Sequence, residues 1–258
     1  MNAGGPVDAT SFSSEWIVPD WPAPSSICAA ISTRSIAGAS LPPWGSFNLG
    51  DRCGDDPDHV AANRASLIDR LRLPQAPHWL RQVHGKTVVR VSSPFAHDTP
   101  EADAAVTRDD GVVLAILTAD CLPVLFASKD GLHVGAAHAG WRGMAAGVLE
   151  ATVAAMNVAP DQIIAWLGPA IGRSSYEVGT QVRDAFVAMN TTAESAFVES
   201  RPGHWLCDLY ALATQRLHAI GVREMHGGGF DTRSDERFYS YRRSPQTGRF
   251  ASLIWHAD

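Results

Sequence analysis

One cysteine and two histidines, Cys121 with His84 and His138, are the residues of this sequence whose types could do chemistry together. Their spacing is far looser than that of a zinc finger, which argues against a small structural zinc module. It suits a catalytic site whose ligands come from several strand ends, with three protein ligands and a fourth position left open. A thiolate and two neutral imidazoles hold zinc well and can lower the pKa of bound water toward neutrality. Copper ranks behind zinc. A cysteine with two histidines can make a blue-copper centre, but the chain has no HxH pair and no His or Met within a few residues after Cys121. Two other readings stay open. Cys121 could be a nucleophile with His84 or His138 as its base and Asp120 orienting that base. Alternatively, Cys121 is a small buried hydrophobe after an apolar strand and the histidines are hydrogen-bonded structure.

A second constellation is formed by Arg64, Arg142, Arg242, Arg243 and Arg249. Arg142 lies at a predicted helix N-terminus beside Gly140 and Gly143, where backbone N–H groups also face an anion. Guanidinium forks suit phosphate or carboxylate, although each arginine alone is equally a surface or structural residue. Neither GxxxxGK[ST] nor GxGxxG occurs, so ATP and dinucleotide chemistry is disfavoured. Asn48 and Asp208 are further candidates for ligand contact. The competing roles are a turn-stabilising asparagine and a helix-start aspartate.

The elements that must position these residues follow from pattern. Residues 15–36 read as one or two short strands broken by Pro22 and Pro24. The long loop from Gly38 to Gly54 holds Asn48 and has the length of a functional loop. A helix is predicted over Asp58 to Leu71, with Arg64 in its first turns and acidic residues near its start. His78 to Val91 alternates as two strands with a bend at Gly85, placing His84 at the bend. Strands follow over 112–117, 122–128 and 132–137, the last two joined at Asp130-Gly131. Their apolar faces on both sides predict a sheet covered on both sides. Helices are expected over Trp141 to Met156, Glu177 to Met189 and Leu206 to Ile220. Strands are expected over 163–167, 222–226, Arg237 to Tyr241 and Phe250 to Trp255. Strands outnumber helices and do not alternate with them as a doubly wound sheet requires, so the fold class is α+β, with helices covering packed sheets.

The 258 residues show no linker, and the expectation is a flexible segment over 1–14 followed by a single catalytic domain over 15–258. A net charge of −6 leaves no whole-molecule basic footprint for nucleic acid. Four cysteines (Cys28, Cys53, Cys121, Cys207) without a CxxC fit reduced thiols. No signal peptide is read at the N-terminus, and no apolar run is long enough to span a membrane. A soluble cytoplasmic protein acting on a small molecule, as a monomer or small homo-oligomer, is expected.

Several segments in order carry a resemblance: FNLG (47–50), GDDPDHVAANR (54–64), QVHG (82–85), TADCLPVLF (118–126), HAGWRG (138–143), LGPAIG (167–172), YEVG (176–179), Asp208-Leu209, FYSYRR (238–243) and TGRFASLIW (247–255). From about residue 28 onward the chain resembles the laccase-domain family, also described as multicopper polyphenol oxidoreductases, peptidoglycan editing factors or YfiH-like purine nucleoside phosphorylases. The resemblance implies a layered α/β/β/α sandwich, similar in fold to a toxin deamidase with a Cys–His pair. It implies that His84, Cys121 and His138 bind zinc. It also implies phosphorolysis of adenosine, inosine, guanosine and methylthioadenosine, and deamination of adenosine. One or more arginines, Arg64 first among them, are expected to hold phosphate against the ribose C1′, with Asn48 and Arg142 as further substrate contacts. A Cys121-centred amidase editing cell-wall precursors is the alternative. One departure stands out: Asp231-Thr232 replaces the Cys-Thr that the family usually carries.

Overall fold

The computed structural model describes residues 15–92 and 99–257. The expected flexible segment over 1–14 lies outside the described residues. In chain order the strands are β1 (Trp16–Ile17), β2 (Ile27–Ser32), β3 (Val88–Arg90), β4 (Ala104–Thr107), β5 (Leu114–Thr118), β6 (Leu122–Ser128), β7 (Val134–Ala139), β8 (Ile163–Leu167), β9 (Glu177–Gly179), β10 (Phe197–Arg201), β11 (His204–Cys207), β12 (Glu224–Gly227) and β13 (Phe250–His256). The α-helices are α1 (Pro57–Leu71), α2 (Trp141–Ala146), α3 (Val148–Met156), α4 (Thr180–Val187) and α5 (Leu209–Ala219).

The strands form a four-stranded sheet ordered β1-β2-β13-β5, a six-stranded sheet ordered β12-β8-β6-β7-β4-β3 and a three-stranded sheet ordered β10-β11-β9. Side-chain alternation explains the layering. Along β13, Phe250 and Ile254 join Leu114 and Ile116 of β5 in a cluster with Leu125, Ala136 and Trp166 of the six-stranded sheet. The intervening Ala251, Leu253 and Trp255 pack with Leu67 and Leu71 of α1. On β6, Leu122, Val124 and Phe126 face the other way, onto Val153 of α3 and Leu217 of α5. Each central strand is therefore apolar on both faces because both faces are covered, and the result is the α/β/β/α order that the family resemblance implies. Each fully buried Leu or Phe contributes roughly 1.5–3 kcal/mol to this stack.

Several elements differ from the pattern reading. The helix expected over Trp141 to Met156 is two helices, α2 and α3, separated by Gly147 at φ +99, a conformation that favours glycine. The stretch from Glu177 begins as a strand because Glu177–Gly179 pairs with β11, and helix α4 starts only at Thr180. Leu206 and Cys207 likewise belong to β11, so α5 starts after its N-cap Asp208. Residues 237–241 make turns rather than a strand. The third central strand lies two residues later than expected, at Val134–Ala139. Between His78 and Val91 the only extended ladder is β3, with isolated bridges at His78 and Arg81. The N–H groups of Val83, His84 and Gly85 are taken by a carboxylate instead of a neighbouring strand, which is why no second strand forms there.

Candidate metal centre

Three elements converge on one point. His84 sits at a non-glycine left-handed bend (φ +62) just before β3. Cys121 lies in the turn from β5 into β6, and His138 stands on β7 opposite Pro123 of β6. One ligand atom from each of the three lies within 4.8 Å of the other two. Cys121 Sγ is 3.9 Å from His84 Nε2, and the two imidazole rings meet edge to face with centroids 4.8 Å apart. His138 is buried, Cys121 half-buried and His84 exposed, so the cluster opens to one side. Gly140 keeps the close approach possible: a Cβ there would stand 2.9 Å from Cys121 Sγ and 3.1 Å from His84 Cδ2.

Asp103, fully buried at the start of β4, organises this cluster. Its carboxylate accepts from His138 Nδ1 at 2.8 Å and from the backbone N–H groups of His84 (2.9 Å), Gly85 (2.6 Å) and Val83 (3.2 Å). Its own carbonyl accepts from the His138 N–H at 2.7 Å. One side chain thus fixes the His84 bend and orients the His138 ring with Nε2 toward the cluster. A carboxylate on the far nitrogen of a ligating histidine sets the tautomer and raises ligand basicity. The donor set, its spacing and this support fit a thiophilic divalent ion such as zinc.

Without a metal, the charges of the group stabilise one another. Burial would raise the Cys121 thiol pKa, but the neighbouring His138 imidazolium outweighs it and the thiol is held well below its ordinary value. Burial would lower His138, and the Cys121 thiolate with the Asp103 carboxylate raises it instead. Burial would likewise raise Asp103, whereas its bonds from His138 and the loop N–H groups keep it below its ordinary value. The buried Cys207 thiol is pushed up, mainly by burial and further by the Asp208 carboxylate. All four cysteines are free thiols.

The cluster lines a cleft of about 660 Å³. Arg142 lines that cleft, its guanidinium 4.5 Å from the Trp141 ring centroid. Arg64 and Asn48 do not line it. Arg64 lies 4.2 Å over Trp79, donates through Nε to the Leu49 carbonyl at 3.0 Å and pairs with Asp51 at 3.5 Å. Asn48 is fully buried and builds the wall: its amide bonds Gly50 on both sides (2.9 and 3.0 Å), Asp55 (2.9 Å) and the Arg249 N–H (2.8 Å). Gly50 and Arg249 both line the cleft, so Asn48 acts through them, as a turn-stabilising asparagine. Asp208 caps α5 by accepting from the Ala211 N–H at 2.9 Å.

Asp120 orients neither histidine. Its carboxylate accepts from Thr232 Oγ1 and from the Arg242 N–H, both at 2.7 Å. It occupies φ +90, a strained conformation for a non-glycine residue immediately before Cys121. Asp231, the departure from the family pattern, accepts from the Gly172 N–H (3.0 Å) and Ser175 Oγ (2.5 Å), pinning the turn before Tyr176. The pattern reading missed Asp103 altogether. Its only local signal is an acidic residue opening an apolar strand (Ala102-Asp103-Ala104-Ala105-Val106), an unfavourable burial unless the charge is partnered.

Residues 28–257 match the family model described as multi-copper polyphenol oxidoreductase laccase. The chain is 54% identical over 245 residues to a protein of Pseudomonas aeruginosa named purine nucleoside phosphorylase, covering 94% of this chain and 99% of that one. It is 50% identical over 244 residues to purine nucleoside phosphorylase YfiH of Escherichia coli, again covering 94% and 99%. A crystal structure of a Neisseria meningitidis protein superposes with a TM-score of 0.91 at 43% identity, covering 95% of this chain and all of that one. The Bacillus licheniformis YfiH structure superposes with a TM-score of 0.83 at 28% identity, covering 90% of this chain and 93% of that one.

Proposed function

The chain belongs to the multi-copper polyphenol oxidoreductase laccase family, in its YfiH-like branch, and on that premise we propose that it is a zinc-dependent purine nucleoside phosphorylase that also deaminates adenosine. The observation that carries this reading is the His84–Cys121–His138 cluster, supported by Asp103 and opening into a cleft large enough for a nucleoside. His84, Cys121 and His138 would hold the ion, which supplies Lewis acidity when bound. Asp103 holds the proton on His138 Nδ1, so that Nε2 presents a lone pair to the cluster. Arg142 contacts substrate from the rim, Asn48 sets the position of the Gly50–Arg249 wall, and Arg64 neutralises Asp51 from behind that wall. In phosphorolysis a phosphate oxygen bonds to the ribose C1′ as the bond to the purine N9 breaks, and the purine leaves with that electron pair and takes up a proton. In deamination a water oxygen joins C6 and ammonia departs. The free thiols and the small-molecule substrate support a cytoplasmic enzyme.

A mononuclear site speaks against oxidation of phenols by a multicopper cluster. Among the described residues this is the one group of three or more such donors that could hold an ion. A second reading rests on a separate observation: Cys121, His138 and Asp103 stand in the order nucleophile, base and orienter, with the carboxylate on Nδ1. That order supports a Cys121-centred amidase as the second reading.

The test is chromatography of products after incubating zinc-loaded protein with adenosine, with and without phosphate, beside His84→Ala. Adenine formed only with phosphate, inosine formed with or without it, and neither from His84→Ala, is the expected result. Loss of activity on chelation with recovery on zinc return separates this reading from the amidase, which survives chelation and is stopped by thiol alkylation. No product from the wild-type protein under either condition overturns the phosphorylase reading.

A further inference from the structure

Adjacent arginines in the segment after Tyr241 have opposite fates. Arg243 turns its guanidinium inward: Nη1 donates to the carbonyls of Thr232 (3.1 Å), Arg233 (3.0 Å) and Asp235 (3.4 Å), and Nη2 to that of Phe238. It is a staple for the turns of residues 232–243. Arg242 instead lines the cleft beside Asp120, Cys121 and Tyr176.

Three contacts hold Arg242 in place. Its backbone N–H donates to Asp120 Oδ2 at 2.7 Å, so its position is tied to the residue that precedes Cys121. Nη1 donates to the Glu177 carbonyl at 2.9 Å, and the guanidinium carbon lies 5.1 Å from the Tyr176 ring centroid. This leaves the Nε and Nη2 edge without a hydrogen bond among the described residues, and that edge is the fork matching two oxygens of an anion. The charge is also unpaired there. Among the described residues no carboxylate forms an ion pair with Arg242. The Glu177 carboxylate is engaged by Arg201 and Ser200 at 2.8 Å each, and that of Asp120 already accepts two bonds.

The other arginines are less suited: Arg52 lines the cleft but is exposed, and among the described residues no hydrogen bond or ion pair fixes its head. Asp51 is the acidic group paired with Arg64, so Arg64 serves to neutralise it. Arg249 commits Nη1 to two carbonyls, those of Thr247 and Gly248 at 2.9 Å each, and among the described residues no aromatic ring stacks on its guanidinium as Tyr176 does on that of Arg242. Among the described residues Arg142 has only its ring contact with Trp141 and no bond that fixes its head.

We propose that Arg242 is the principal anion-binding residue of the cleft, with its free guanidinium edge taking the inorganic phosphate of phosphorolysis. The assignment rests on the phosphorylase reading and moves the phosphate role away from Arg64. Arg242 is preorganised by the Tyr176 ring and the Glu177 carbonyl, so little side-chain freedom is lost when the anion arrives.

Two measurements test it. In steady-state kinetics with zinc-loaded protein, Arg242→Gln raises the phosphate KM by roughly ten- to a hundredfold while the adenosine KM moves less than about threefold, the range expected for losing a charge-assisted fork. Arg242→Lys falls between the two proteins, because it keeps the charge and loses the planar fork. In wild-type protein, which needs no variant to fold, phenylglyoxal modification mapped by peptide is slowed at Arg242 by inorganic phosphate. An unchanged phosphate KM in Arg242→Gln, or phosphate protection falling on Arg142 or Arg64 with Arg242 unprotected, overturns the assignment. A wild-type enzyme that forms no adenine defeats the phosphorylase reading instead, and the protection experiment still decides whether Arg242 binds the anion.

Discussion

Two buried carboxylates flank the cluster and do different work with the same chemistry. Asp103 receives four donors, one of them an imidazole, and thereby ties the His84 bend to the His138 strand. Asp120 receives a hydroxyl and one backbone N–H, neither from a ligand candidate, and ties the Cys121 turn to the segment carrying Arg242. Asp103 sits in ordinary backbone at a strand start, whereas Asp120 sits at φ +90. The difference teaches that one wall of the site is organised around the His84–Cys121–His138 donor set and the other around the segment that carries Arg242. A buried carboxylate serves either purpose, according to which donors surround it.

The largest effect is expected at Asp103. In Asp103→Asn one oxygen is replaced by an amide that faces donors, breaking a buried charge pair. This is expected to cost about 3 kcal/mol of stability in denaturant titration and to reduce zinc affinity by roughly 10–100-fold in a chelator competition. Zinc affinity equal to wild type would erase the distinction drawn between the two walls.

A smaller loss, about 1–2 kcal/mol, is expected for Asp120→Asn, from one unsatisfied contact, with zinc content retained by elemental analysis. The backbone sharpens the comparison further. Asp120→Gly loses both side-chain bonds but relieves the φ +90 strain, so it should be more stable than Asp120→Ala by about 1 kcal/mol. An alanine variant as stable as the glycine variant would show that the turn carries no strain.

The smallest effect is on titration. In metal-free wild-type protein the Cys121 thiolate is favoured by His138, so alkylation followed at the Cys121 peptide has a midpoint well below the ordinary thiol value of about 8.5. The sign follows from the chain of charges: Asp103 raises His138, and His138 lowers Cys121. Asp103→Asn therefore moves the midpoint up, and Asp120→Asn leaves it in place. An equal shift in both variants would remove Asp103 from that chain.

Much of this was legible in one dimension because it depends on local periodicity. The two-sided apolar runs of β5, β6 and β7 announced a covered sheet, and α1 declared itself through the acidic residues near its start and its apolar spacing. The ligand trio was legible as a set of residue types but not as a cluster, since His84, Cys121 and His138 are distant in sequence and nothing local reports their convergence. The errors have physical causes. Gly147 looked tolerable inside a helix, yet its φ +99 ends one helix and begins another. Glu177–Gly179 looked helical until β11 supplied a strand partner.

The sequence by itself determined the fold class, the family and the identity of three residues able to share an ion, because residue chemistry and short-range pattern need no partner to be read. Only the tertiary structure decided which groups support them. A guanidinium or a carboxylate has no role until its neighbours are known. Arg64 is committed to Asp51 and Leu49, Arg243 to carbonyls and Arg242 to the cleft, while Asp103, unremarked in the pattern, holds four donors across the site. Hydrogen bonds and charge pairs between residues far apart in the chain are created by folding, so their meaning is too.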